Sequence, residues 1–282
     1  MKLTVLTDNN TYIDQYFLGE PAVCYLLEDG GEKLFFDLGY SDVYLKNAKS
    51  MGLDLGMVHT LVFSHGHNDH TGGLACLPPE LVGCRIVGHP NLLEPKRGGG
   101  LSISAPVQAE ELSGTMRLCL SREPQRLSEH VWFLGEIPRC FSFENQKPVG
   151  LRYVRGQWEP DYVLDDSALA LLVSDGVFVV TGCSHAGICN IIRYAKEVTG
   201  RSHVLGVIGG FHLFDGDRKQ TSQTAAFLKS EGIEQFYPCH CTSLLAKLRL
   251  AEQLPLREVG VGLQLSWDDA DGSLCEVRGM TE

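Results

Sequence analysis

The sequence contains no C-x-x-C pair, which excludes both a thioredoxin-like redox motif and a four-cysteine zinc knuckle. Its ten cysteines are scattered over 282 residues, not crowded at the regular spacing of a disulfide scaffold, so most are expected to be reduced core residues. No run of about 18 apolar residues is present to cross a bilayer. The stretch Met1-Lys2-Leu3-Thr4-Val5-Leu6-Thr7-Asp8 turns polar before a signal-peptide core can form. The expectation is a cytoplasmic protein without a membrane partner. Basic charge is also scarce: 24 Lys and Arg stand against 35 Asp and Glu, a net charge of -11. Such a surface repels polyanions, so nucleic acid is not an expected partner. Internal repeats, low-complexity runs and linkers are missing too. With 44% hydrophobic residues, one domain over 1–282 is expected, since layered α/β folds often reach about 250 residues.

What is present reads as two kinds of chain. The first part is strand-rich: strands over 2–7, 22–27 and 33–37, with Glu28-Asp29-Gly30-Gly31 as a hairpin turn, then a helix over 41–51 opened by Ser41 and Asp42, and a strand over 60–63. Residues 92–130 have a poor apolar period, the run Gly98-Gly99-Gly100 and several prolines, and read as a partly irregular insertion or lid. Strands return over 131–134, 168–173 and 177–181, the last two joined by Ser174-Asp175-Gly176. Helices over 187–199, 221–230 and 243–250 then alternate with strands over 203–208 and 235–237. The fold class is α/β (α+β), with two sheets sandwiched between helices.

The strongest chemical signal follows the strand at 60–63: Ser64-His65-Gly66-His67-Asn68-Asp69-His70-Thr71-Gly72-Gly73, an H-x-H-x-D-H run. Four ligand-type side chains in six residues make a poor helix cap. Neutral imidazole and carboxylate are ligands for zinc, iron or manganese, and a dinuclear centre needs more than one group for each ion. His65 and His67 can reach one ion, Asp69 and His70 a second, while the glycines let the backbone turn closely around both.

This run after an apolar strand, preceded by Phe36-Asp37-Leu38-Gly39, resembles the metallo-β-lactamase superfamily, which implies a four-layer αββα sandwich with a metal site at one edge. The stretches Gly135-Glu136-Ile137-Pro138-Arg139, Thr181-Gly182-Cys183-Ser184-His185-Ala186-Gly187-Ile188, Gly209-Gly210-Phe211-His212-Leu213 and His240-Cys241-Thr242 are similar to one branch, labelled dihydropterin or ribofuranosylaminobenzene-phosphate synthase-like. Two customary ligands of the superfamily are missing. The place of a Gly-His-Thr histidine holds residues 162–167, and the place of a metal-bridging aspartate holds Thr181-Gly182-Cys183. The resemblance implies His65, His67 and His185 for one ion and Asp69, His70 and His240 for the other, with Cys183, Asp165 and Asp166 as weaker candidates. His212 competes with His240 for the last ligand position, or else contacts substrate. Asp37 is expected to support a ligand histidine from behind, an ordinary strand-end aspartate being the alternative.

The chemistry expected of two divalent ions, zinc first and iron or manganese as alternatives, is hydrolysis by a bridging water that loses its proton near neutral pH. Asp69 and His212 are the catalytic candidates. The bond is an ester, lactone, thioester or phosphodiester of a small anionic substrate, pterin-like or phosphorylated by the resemblance alone. Lys96, Arg97 and Arg139 are basic residues in an acidic chain and are read as substrate-binding, against solvated surface as the plainer reading. A non-hydrolytic metal sensor or redox protein on the same fold is the alternative, suggested by Cys183. Cys239 and Cys241 flank His240, and strand alternation is expected to turn both away from it.

Overall fold

The apolar runs of the two strand-rich stretches are long because their strands are covered on both faces, which removes the usual polar alternation. The computed structural model describes residues 1–216, 218–268 and 272–279. In chain order, the first half has strands β1 (Lys2–Thr7), β2 (Cys24–Asp29) and β3 (Glu32–Phe36), helix α1 (Val43–Ser50), strand β4 (Val58–Val62) and the single turn α2 (Asn68–Thr71). Next come β5 (Arg85–Gly88), β6 (Lys96–Gly98), β7 (Leu101–Ser102), α3 (Ala109–Ser113), β8 (Arg117–Leu120), β9 (Gln125–Arg126) and β10 (Val131–Phe133). The second half has β11 (Leu151–Val154), β12 (Gln157–Pro160), β13 (Ala168–Val173), β14 (Gly176–Thr181), α4 (Ile188–Thr199) and β15 (Val204–Gly209). It ends with α5 (Arg218–Ser230), β16 (Gln235–Pro238), α6 (Leu244–Ala251), β17 (Leu263–Trp267) and β18 (Leu274–Arg278).

The described strands form three sheets, of which two are large. One runs β18-β17-β1-β2-β3-β4-β5-β8, the other β16-β15-β14-β13-β10-β9. Each is antiparallel in one part and parallel in the other: β3, β4, β5 and β8 are parallel in the first, β14, β15 and β16 in the second. Side-chain alternation sorts the core into three layers. Leu3, Val5, Tyr25, Leu27, Phe36, Leu169, Leu171, Phe178 and Val180 meet between the sheets. Leu26 and Phe35 face outward onto Tyr44 and Ala48 of α1. Ala170, Val177 and Val179 face outward onto Ile188, Ile191 and Ile192 of α4. Three cores between four layers is the αββα sandwich, and each large apolar side chain so buried contributes about 1.5–3 kcal/mol.

Residues 92–130 carry more regular structure than their sequence signals. β8 extends the first sheet beside β5, and β6 and β7 join β11 and β12 in a small four-stranded sheet. The segment is also tied to the histidine-rich loop, since Asn68 N–H donates to Ile103 O at 3.0 Å and Ser104 bridges to His67. No helix among the described residues is long and apolar enough to cross a membrane.

The parallel strands all point their carboxyl ends to one edge of the sandwich. There the chain leaves β3 at Asp37, β4 at Phe63, β14 at Gly182, β15 at Gly210 and β16 at Cys239. Crevices outside strand carboxyl ends are where open α/β sheets bind ligands.

Candidate metal centre

Asp37 is the buried post on which the centre is built. Its Oδ1 accepts from Ser64 N–H at 2.7 Å, and its Oδ2 accepts from Ser64 Oγ–H at 2.7 Å and lies 2.7 Å from His70 Nδ1. Placing the His70 proton on Nδ1 satisfies that contact and leaves Nε2 free on the other side of the ring, 3.1 Å from Cys183 Sγ. Ser64 Oγ also lies 3.0 Å from His65 Nδ1. Two glycines of the run are required by close approach: a Cβ at Gly66 would meet Leu92 O at 2.0 Å, and one at Gly72 would meet Tyr40 O at 2.2 Å.

Two groups of donors assemble, each with its ligand-type atoms within 4.8 Å of one another: His65, His67 and His185, and Asp69, His70, Cys183 and His240. His65 Nε2 faces His67 Nδ1 at 2.9 Å, and His240 Nε2 lies 3.3 Å from Asp69 Oδ2. The rings of His185 and His65 are 4.7 Å apart between centroids, those of His70 and His240 5.0 Å. Every member sequence reasoning proposed as a main ligand is therefore here. Cys183, a weaker candidate there, also groups with His185 and His212, so its sulfur is within reach of donors from both sets.

The donors fit divalent ions. Nε2 of His67, both ring nitrogens of His185 and Nδ1 of His212 are buried with no hydrogen-bond partner. Such atoms cost free energy unless something accepts their lone pair or proton. Burial pushes His67 down to about 4, and pushes His65 and His185 lower than an ordinary imidazole, with neighbouring histidines adding to the effect on both. These rings are neutral at pH 7, the form that binds metal. Burial works to raise Asp69, but His70 and His240 outweigh it and hold its carboxyl well below the usual range. Burial likewise opposes charge on His70, yet Asp69 and Asp37 overcome it and raise it. The Cys183 thiol is pushed up by burial and by Cys241 beside it, so its sulfur carries charge only where a cation offsets that burial.

Backbone strain gathers at the same edge. Asp37, Ser184, His212 and His240 hold left-handed φ values of 59°, 56°, 47° and 44°, each within three residues of a strand end. His240 is fixed by the far end of the chain: its N–H donates to Asp8 Oδ1 at 3.0 Å and its Nδ1 lies 3.1 Å from Asn9 Oδ1. Asp8 and Asn9, directly after β1, escape sequence reasoning, although polar residues at a strand's carboxyl end are the available signal. The left-handed turn also corrects one expectation. β16 ends at Pro238, so alternation does not continue through His240, and Cys241 lines the cleft with its sulfur 3.4 Å from Cys183 O. Cys239 does pack away, 3.3 Å from Tyr25 Oη between the sheets.

The basic residues expected to bind substrate are placed elsewhere. Lys96 is buried, 3.3 Å from Asp165 Oδ2 and 3.7 Å from Asp161 Oδ2, and donates to Asn91 O. Asp165 Oδ2 in turn accepts from Gly66 N–H at 2.8 Å, so the pair braces the His65-Gly66-His67 backbone, and Asp165 is absent from both donor groups. Asp166, pushed up to about 7 by burial, accepts from Ala186 N–H at 2.8 Å behind His185 and is absent from both donor groups. Arg139 donates to the carbonyls of Asn145, Tyr162 and Val163. Arg97 lies over the Trp158 ring at 4.2 Å. None of the three basic residues lines the cleft. Lys96→Met is accordingly expected to cost about 3 kcal/mol by stranding two buried carboxylates. Calorimetry should show this as a melting point lower by roughly 8 °C, where loss of a mere substrate contact would leave melting unchanged.

The donors open into a cleft of about 820 Å³ lined by His67, Asp69, Cys183, His185, His212 and His240 together with Ile103, Val149, Phe214 and Leu244. The His212 ring stands 4.2 Å from that of His185, on the cleft wall and outside the two ligand sets that contain His65 and His70.

The model of the metallo-beta-lactamase superfamily matches residues 18–198. The 7,8-dihydropterin-6-methyl-4-(beta-D-ribofuranosyl)-aminobenzene-5'-phosphate synthase of Methanocaldococcus jannaschii is 31% identical over 270 residues, 90% of this chain and 91% of that protein. Among solved structures, Tm1679, described as a metal-dependent hydrolase of the beta-lactamase superfamily, superposes with a TM-score of 0.83 at 28% identity, covering 95% of this chain and 100% of that one. Zinc-bound PqqB from Methylobacterium extorquens, 11% identical with a TM-score of 0.53 over 94% of this chain and 100% of that one, shares the fold alone.

Proposed function

We propose, from the premise that this chain belongs to the metallo-beta-lactamase superfamily, that it is a cytoplasmic hydrolase using two divalent ions, zinc first, on an ester, lactone, thioester or phosphodiester bond of a small anionic substrate. The observation that carries the reading is the set of buried imidazole nitrogens without partners beside the half-buried carboxylate of Asp69. His65, His67 and His185 would hold one ion and Asp69, His70 and His240 the other, with Cys183 offered to both. When bound, such ions supply Lewis acidity toward a carbonyl or phosphoryl oxygen and acidify water.

The chain's own residues do the rest. Asp37 keeps the His70 proton on Nδ1, and Asn9 does the same for His240, so both Nε2 atoms stay available. Asp69, within 3.6 Å of His70 and 3.3 Å of His240, keeps its negative charge beside both rings, the form in which a carboxylate can ligate an ion. His212 stands on the cleft wall with Nδ1 free, where it can give a proton to a departing heteroatom. Ile103, Val149 and Phe214 line the same space with apolar surface. The dihydropterin-aminobenzene-phosphate name of the relative makes a pterin-like or phosphorylated substrate the first to try. That relative is named a synthase, so the bond made or broken is read from the assay.

Zinc-loaded protein is expected to cleave at least one of a panel of phosphodiesters, lactones and thioesters. Chelation should abolish this and added zinc restore it, and His67→Ala should lower it more than about 100-fold. Zinc-loaded protein inert toward the whole panel would overturn the reading. A second reading, a metal sensor or redox protein, is favoured by Cys183 lying within reach of both donor groups. A visible absorption band from bound iron would support it, and colourless zinc protein would reject it.

A further inference from the structure

The cleft has a polar floor and an apolar rim, and the rim carries no obvious internal duty. Phe214, 51% exposed, stands edge-on to His212 with centroids 4.8 Å apart, so an aromatic surface continues outward from the donor histidines. Leu244 and Tyr40, also lining the cleft, are 71% and 52% exposed. Single exposed apolar side chains are ordinary, but three around the mouth of one cleft form the kind of patch that marks a ligand site.

One cation shares this rim. With Lys96, Arg97 and Arg139 committed elsewhere, Lys247 is the lysine or arginine lining the cleft among the described residues. It stands three positions after Leu244 on α6, so both project from the same helical face. No ion pair engages its Nζ among the described residues. The carboxylate facing the same space, Asp69, is held by His70 and His240. In a chain of net charge -11, an unpaired half-buried lysine is a local well for one negative group in a field that repels many.

Resting on the hydrolase reading for where the reacting bond lies, we propose that the cleft takes a substrate with a planar aromatic body and a single anionic group. The ring packs on Phe214 and Leu244, the anion meets Lys247, and the remaining end lies beside His185 and His212. Aromatic contact supplies the bulk of the affinity. Lys247 selects among ligands of similar shape, by an attraction that salt screens. The specificity-determining residues are thus Phe214 and Lys247, on the loop after β15 and on α6.

Two probes of one shape test this, 2-naphthalenesulfonate and the neutral 2-naphthylmethanol, titrated calorimetrically into zinc-loaded full chain. Sulfonate is a poor metal ligand, so its binding reports the rim. The wild type should bind the sulfonate roughly 3- to 5-fold more tightly than the alcohol, and the preference should shrink with salt. Lys247→Gln should erase the preference, Lys247→Arg should keep it, and Phe214→Ala should weaken both probes by about 5-fold. Equal affinity of the wild type for the two probes, a preference that survives Lys247→Gln, or no binding of either probe would overturn the proposal. A chain that shows the Lys247-dependent preference yet cleaves none of the panel keeps this inference and loses the hydrolase. An active zinc enzyme without the preference does the reverse.

Discussion

Replacing His185 by alanine is expected to lower bound metal from about two ions per chain to about one, measured by elemental analysis of protein purified without added metal. The surroundings of the ring set this outcome. Both of its nitrogens are buried without a partner, and it lies against His65, His67 and His212 at centroid distances of 4.7, 5.0 and 4.2 Å. His65 and His67 come from one loop of the first sheet, and His185 is the donor that the second sheet brings to them. Two imidazoles alone fall below the three protein ligands that an open zinc site ordinarily uses. Removing an imidazole with no hydrogen bonds costs the metal-free protein little, so its melting point should hardly move. Metal content that stays near two in the variant would take His185 out of the ligand set. One ion or none in the wild type would dismantle the two-ion reading and favour the sensor.

The second large effect belongs to a residue that touches no ion. Asp37→Asn keeps the shape and tolerates the left-handed backbone at φ 59°, since asparagine visits that region readily. What changes is the pair of acceptors. An amide nitrogen at the Oδ2 position would face both Ser64 Oγ and His70 Nδ1, and the serine hydroxyl can rotate while the imidazole must change tautomer. The His70 proton then sits on Nε2, pointing at Cys183 and into the donor group. Affinity for an ion at the group of Asp69, His70 and His240 should fall about 10- to 100-fold, read by competition with a chromophoric chelator. Loss of a buried charge that His70 depends on should also cost about 3 kcal/mol of stability. A variant that binds both ions as the wild type does would show Asp37 to be an ordinary strand-end aspartate.

The metal loop was the most legible part of the chain because its chemistry is local. His65, His67, Asp69 and His70 lie within six residues, and one strand followed by one helical turn is enough to aim them. His185 and His240 were reachable through resemblance, since each follows a strand that apolar composition alone reveals. The basic residues were misread because burial is a long-range property. Nothing near Lys96 in sequence says that Asp161 and Asp165, more than sixty positions on, will enclose it. Cys241 was misread because one left-handed residue, His240, cancels the alternation on which the inference stood. Strand β17 stayed unassigned although Leu263, Leu265 and Trp267 alternate with Gln264 and Ser266, a readable signal whose partner, β1, lies at the opposite end of the chain.

Asp8 and Asn9 hold His240, and β1 itself lies between β2 and β17. The two donor groups therefore become possible at different moments of synthesis. Once position 185 has left the ribosome, the three-histidine group has all its members, while the other still lacks His240 and the residues at the start of the chain have nothing to grip. Since the amino-terminal part of a chain emerges and organises first, two ions bound as proposed would be acquired in a fixed order. Capture of the second would then report that both ends of the polypeptide have met.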